Sequence, residues 1–132
     1  MKIYITYCTG KKDNSFKDTD IKVTPDVLYT SARIKSFIRQ CRKKDVAWAI
    51  FSDRYSIWFA AEKHIWYDKH PNTVTEDEFY KLLKIFDARL KGYDEIIFYY
   101  NPARIHKLYK RLIEETALKD RMKLITHLRD IG

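Results

Sequence analysis

Cys8 closes an apolar run that begins at Lys2, and Thr9, Gly10, Lys11 and Lys12 follow it at once. A thiol beside two ammonium groups has its thiolate favoured, and a glycine lets backbone N–H groups turn towards an anion. The cluster therefore reads as a nucleophile, Cys8, with Lys12 stabilising charge, or as a phosphate cradle of Thr9, Gly10 and Lys11. The alternative is a small buried hydrophobe at a strand end. Neither the GxxxxGK[ST] nor the GxGxxG spacing is present, so the standard nucleotide loops are excluded.

Three further stretches carry compatible chemistry. In Leu28-Tyr29-Thr30-Ser31, Ser31 caps a helix whose free N–H groups can hold an anion beside the lysines, with Tyr29 next to it. In Ser52-Asp53-Arg54-Tyr55, Ser52 and Asp53 suit the polar edge of a ligand, Asp53 can move a proton, and Arg54 can pair with phosphate bidentately. No G-x-S-x-G elbow surrounds Ser52, which argues against a hydrolase triad. In Trp66-Tyr67-Asp68-Lys69-His70-Pro71, rings interleaved with cations suit stacking on a base, with Tyr67 and Asp68 placing it and Asp68 or His70 as further proton carriers. His64, Asp68 and His70 fit no zinc spacing and the cysteines form no CxxC, so no metal and no cofactor is assigned.

Two basic stripes lie on helical spacing: Lys35, Arg39 and Arg42, then Arg104, Lys107 and Arg111. They read as solvated faces or as salt-dependent, sequence-blind contacts with nucleic acid. The net charge is +8, and residues 1–56 hold 12 Lys+Arg against 6 Asp+Glu while residues 57–132 hold 14 against 12. Such an excess raises the local concentration of polyanionic or phosphorylated partners. RNA, in preference to DNA, or a phosphorylated small molecule is the expected partner. With three Asn and one Gln beside abundant Lys, Arg, Tyr and Ile, the composition matches proteins from hot environments. No apolar run is long enough to cross a membrane and no signal-peptide core follows Met1, so the expected location is the cytoplasm, with Cys8 and Cys41 as free thiols.

Elements that position these residues follow from periodicity. Lys2 to Tyr7, Val46 to Ser52, Glu95 to Tyr100 and Met122 to Leu128 read as strands, the middle two apolar enough for burial on both faces. Helices are expected from Ser31, with Ile34, Phe37, Ile38 and Cys41 inward; from Thr75, with Glu78 completing a capping box; and from Asn101-Pro102 as N-cap and first residue. The order β-α-β-α-β-α-β predicts one α/β domain over residues 1–132, with a four-stranded, largely parallel sheet. Two long loops, Thr9 to Thr30 and Asp53 to Val74, follow the first two strands. Cys8, Ser52, Asn101 and His127 are thus expected at the carboxyl edge, where ligands bind in open α/β sheets.

Taken in this order, "CTGKK", "LYTS", "SDRYS" and "WYDKHP" resemble a family of small uncharacterised microbial and phage α/β domains over roughly residues 1 to 80. The chain departs from that pattern at Asp53, Arg54 and Ser56, where Ala, Lys and Gly are usual. More distantly, Cys8, Thr9 and Lys12 resemble the Cys-Ser and Lys of archaeosine synthase-type tRNA-modification domains, although Asp13 and Asn14 replace the Pro-Tyr that follows there. That resemblance implies a nucleobase, nucleotide or tRNA ligand. Two functions stay open at this level: an enzyme acting on a base through Cys8, Lys12 and Asp53, and a basic nucleic-acid-binding or accessory module without chemistry.

Overall fold

The computed structural model describes residues 1–132. Five strands form a mixed sheet: β1 (Lys2–Tyr7), β2 (Trp48–Ser52), β3 (Ser56–Phe59), β4 (Glu95–Tyr99) and β5 (Met122–Ile125). Their spatial order is β3-β2-β1-β4-β5, with β1–β2, β1–β4 and β4–β5 parallel and β2–β3 antiparallel. The helices are α1 (Pro25–Leu28), α2 (Ala32–Lys43), α3 (Glu76–Leu90) and α4 (Lys107–Glu115). No helix is long and apolar enough to cross a membrane.

The expected four-stranded sheet is corrected to five. Residues 53–55 make so short a turn that Ser52 pairs with Ser56 and the chain doubles back as β3. Ser56 closes the turn at φ 62°, a left-handed conformation common at the end of three-residue hairpin loops. Its hydroxyl donates to the Leu82 carbonyl at 2.7 Å, which ties the hairpin to α3. A four-residue apolar strand hidden in an otherwise irregular stretch carries too little periodicity to stand out in sequence.

The heads of two helices obey the expected chemistry. The Ser31 hydroxyl accepts from the Ile34 N–H at the head of α2, and Ile34, Phe37, Ile38 and Cys41 are buried. Thr75 and Glu78 form the reciprocal capping box of α3. The third expected start is displaced. Asn101 Oδ1 takes the Ala103 N–H at 3.0 Å and its carbonyl takes those of Arg104 and Ile105, making one turn only. His106 is then extended and becomes the N-cap of α4.

Tyr99 stacks on Phe37 of α2, while Phe51 packs edge-on against Phe86 of α3 and Tyr109 of α4. These contacts place α2 on one sheet face and α3 with α4 on the other. The core strands are accordingly buried along their length. The α2 crossover carries the chain from β1 to β2 on one side, and the α3 crossover returns it from β3 to β4 on the other side of β1, so a crevice opens beyond the carboxyl ends of β1 and β4. The long loops meet beside the β2–β3 hairpin, where Val23 and His64 exchange backbone hydrogen bonds at 2.9 Å and His64 stacks on Tyr55, and within the first loop Thr30 donates to Lys11.

Candidate functional site

At the carboxyl edge, burial gathers a polar cluster. Cys8 leaves the end of β1, Ser52 ends β2, Asp53 begins the hairpin turn, and all three are buried. The loops bring Tyr29 and Tyr67 in from either side, their hydroxyls 2.5 Å apart. From α4, the Tyr109 hydroxyl lies 3.4 Å from the Cys8 sulfur. Tyr67 and Cys8 both face the Asp53 carboxyl. Lys12, paired in backbone with Tyr29, holds its ammonium 4.3 Å from the Tyr67 ring centre. Cys8, Lys12 and Asp53 thus lie close to one another, along with Tyr29, Ser52 and Tyr67.

The electrostatics differ from the expected ones. Burial, and secondarily the Asp53 carboxylate, push the Cys8 thiol up to about 11, the opposite of activation by lysines. Lys12 instead acts on Asp53, whose carboxyl is raised by burial and partly restored by that ammonium. Burial also raises the phenols of Tyr29 and Tyr67 well above their ordinary value. The cluster is therefore a wet-chemistry surface turned inward: hydroxyls, a protonated thiol and one carboxyl group. Asp53 is only 4% exposed, and its Oδ1 is buried with no hydrogen-bond partner.

Above this floor lies a cleft of about 250 Å³ lined by Cys8, Thr9, Gly10, Asp53, Lys69, His70, Arg104, His106 and Tyr109 among others. Its rim is cationic. Lys69 is bound to Glu78 at 2.9 Å, whereas Arg104 forms no ion pair and stands on the loop before α4, off the helical stripe expected for it. Gly10 lines the cleft without a positive φ and with no neighbour near its missing Cβ, so no glycine-dependent anion nest exists there.

Several expected ligand residues have other engagements. Thr9 donates its hydroxyl to Ser31 at 3.0 Å. The Ser52 hydroxyl accepts from the Arg54 and Tyr55 N–H groups and fixes the turn. Asn101 serves its own turn and donates its N–H to the Tyr7 hydroxyl. Arg54 and Asp68, both exposed, line a separate groove of about 420 Å³ that shares Asp53 as its wall. Lys11 is exposed and contributes its carbonyl to Thr30. On the stripes, Arg42 pairs with Asp26 at 3.0 Å, Arg111 is held by Glu76 and Glu115 at 2.7 and 2.5 Å, and Lys107 is exposed at the head of α4. Lys35 and Arg39 line a shallow groove on α2. No three His, Cys, Asp or Glu side chains are arranged to hold a metal ion.

Tyr109, His106 and Arg33 were not singled out by residue pattern. Arg33 donates to the Tyr7 and Tyr99 carbonyls and the Thr6 hydroxyl, and its guanidinium lies 3.9 Å from the Tyr7 ring centre. It pins the ends of β1 and β4 where they diverge. Tyr7 in turn stacks on Tyr109 at 4.9 Å, so α2 buttresses the side chain that holds the thiol. The available signal for Tyr109 was a phenol on an apolar helix face, since a buried hydroxyl needs a partner. No family model, curated protein or solved structure matches the chain.

Proposed function

We propose that the chain binds a nucleotide, free or within single-stranded RNA, in the cleft beyond β1 and β4, with the base inward against Asp53 and phosphate at the rim. The observation that carries this reading is Asp53, 4% exposed with an unpartnered Oδ1, on the floor of a cleft edged by Arg104, His70 and Lys69. A buried acceptor left unmade costs about 1–3 kcal/mol. A base N–H or amino group relieves that cost once the Asp53 side chain turns its Oδ1, which has no exposed surface of its own, into the cleft, whereas a ligand carrying only phosphate cannot. The hollow, about 250 Å³, lies below the usual range for drug-sized ligands and suits one base with its phosphate at the mouth.

Cys8, protonated at neutral pH, serves in this reading as part of the wall, not as an attacking group. Lys35 and Arg39, which form no ion pair on the α2 groove, support a second, weaker reading as sequence-blind contacts to an RNA backbone. Equilibrium dialysis against AMP, GMP, CMP and UMP, with ribose 5-phosphate as control, tests the main reading. At least one monophosphate is expected to bind about tenfold more tightly than ribose 5-phosphate, a difference of about 1.4 kcal/mol. Equal binding of all five, or none, removes the base from the cleft.

A further inference from the structure

Helix α2 carries five cations, Arg33, Lys35, Arg39, Arg42 and Lys43, and no carboxylate, whereas α3 carries four carboxylates and α4 two. Arg33 turns inward to the ends of β1 and β4. The other four are exposed, and Ala32 is the only further exposed residue on the helix. Lys35, Arg39 and Lys43 form no ion pair, while Arg42 is held by Asp26 of α1 at 3.0 Å. The helix dipole accounts for Arg42 and Lys43 in the last turn, but it gives no reason for Lys35 or Arg39, and the acidic residue it favours in the first turn is missing. Like charges four residues apart, as Lys35 and Arg39 are, destabilise a helix. Local stability therefore does not explain this face, whereas an anionic partner does.

The face is joined to the cleft. Thr9, on the cleft wall, donates its hydroxyl at 3.0 Å to Ser31, the N-cap of α2. Lys11, exposed, takes the Thr30 N–H on its carbonyl beside that bond. One helical turn beyond Ser31 stands Lys35, and Arg39 follows about 6 Å further along the axis. Lys35, Arg39 and Arg42 line a groove of about 260 Å³ together with Asp26 and Ile38. Two carboxylates flank this path, Asp26 held by Arg42 and Asp13 held by Ser15, so the cations facing solvent are left in excess.

We propose that α2 takes the phosphodiester backbone of single-stranded RNA, and that the nucleotide of the cleft is one residue of that strand. The inference rests on the reading of the cleft given above and decides between its free and its chain form. The strand leaves the mouth of the cleft past Thr9 and Ser31, with successive phosphates at Lys11, Lys35 and Arg39. Such contacts are salt-dependent and carry no sequence information, so selection of the base stays with the cleft. A protein partner would need an apolar or aromatic anchor in the groove, and Ile38, 3% exposed, offers none. A helix lying in a membrane surface inserts large apolar side chains, and the exposed face of α2 holds nothing apolar beyond Ala32.

Fluorescence anisotropy with end-labelled oligo(A) and oligo(U), from dimer to octamer, at about 50 and about 200 mM salt, tests the path. At the lower salt the octamers are expected to bind about tenfold more tightly than the dimers. The double variant Lys35→Gln, Arg39→Gln is expected to remove that gain and to flatten the slope of log affinity against log salt by about 1.4, about 0.7 for each lost cation. Lys84→Gln with Lys91→Gln, on α3 and at its end, removes the same charge from the other face of the sheet and is expected to keep the gain. All four side chains are exposed, and circular dichroism is expected to show both variants folded. Affinity independent of length, or equal losses in the two variants, overturns the α2 contact. Tighter binding to phosphatidylserine–phosphatidylcholine vesicles than to the octamers, lost in the α2 variant, overturns it as well and makes the face a lipid contact. Length-dependent binding without discrimination among the monophosphates sinks only the base in the cleft, and discrimination without length dependence sinks only the strand.

Discussion

The floor and the rim of the cleft lie a few residues apart in sequence and obey different physics. Cys8 and Asp53 on the floor, and Tyr29 and Tyr67 packed beneath it, are buried, their ionisations held back by burial. On the rim, Arg104 and His70 are exposed, where charge is solvated and screened. A buried polar group contributes selectivity because an unmatched partner leaves it unsatisfied, while an exposed cation contributes attraction that any anion shares. Adjacent residues such as Tyr67 and Asp68, or Asp53 and Arg54, fall on opposite sides of this divide.

Replacing Asp53 separates the two regions most sharply. Asp53→Asn is expected to weaken nucleotide binding about a hundredfold, about 2.7 kcal/mol, and to raise stability at pH 7 because a poorly paired buried carboxylate is removed. The sign of its pH dependence follows from the raised carboxyl. The folded protein holds the proton more tightly than the unfolded chain, so the destabilisation develops as pH rises through the folded value and is absent below the ordinary carboxyl value, about 3.9. Urea titrations of the pair should therefore diverge at pH 7 and converge near pH 3.5. Coincident curves at both pH values would show that Asp53 is satisfied in solution.

Tyr29→Phe probes the floor from the stability side. It removes one member of the Tyr29–Tyr67 hydroxyl pair and leaves the other buried beside Asp53, a loss of about 1–2 kcal/mol, read as a lower urea midpoint with unchanged slope. An unchanged midpoint would mean that water already reaches the pair. On the rim, Arg104→Ala is expected to lower nucleotide affinity less than tenfold, about 1 kcal/mol, and to flatten its salt dependence, with no change in stability. Equal loss for ribose 5-phosphate and the monophosphates is the mark of a rim residue.

What could be read in the sequence divides along the same line. Ser31 and the Thr75–Glu78 box follow from local chemistry, since a cap needs only residues within one turn, and both are found as expected. The gathering of Cys8, Ser52, Asp53, Tyr29 and Tyr67 at one edge follows from strand alternation, because each stands at or near a strand end or on the loop that returns to it. The burial that inverts the Cys8 chemistry depends on Tyr109 packing over it from 101 positions away, which no local pattern records. The start of α4 depended on a competition. Asn101-Pro102 makes a self-contained turn, and the cap passes to His106, a weaker capping type whose sequence signature is faint.

The smallest expected effect decides between chemistry and recognition. Cys8→Ser replaces a buried thiol with a hydroxyl that can still meet Tyr109, and nucleotide affinity is expected to change less than twofold, under about 0.4 kcal/mol. The reason is electrostatic. With its thiol pushed up to about 11 by burial and Asp53, Cys8 stays protonated at pH 7, so ligand binding owes nothing to a thiolate. If a base were instead captured by addition of the thiol across a ring double bond, Cys8→Ser would abolish a mass adduct that survives denaturation, and Asp53, the nearest carboxylate, would take the thiol proton and pass it to the neighbouring ring atom. Intact-mass spectrometry of both proteins after incubation with the tightest-binding monophosphate distinguishes the two. An unmodified mass in each leaves Cys8 as wall and Asp53 as reader of the base, whereas an adduct on wild type alone would make the buried pair a catalytic couple whose proton transfer the Asp53→Asn variant should then block.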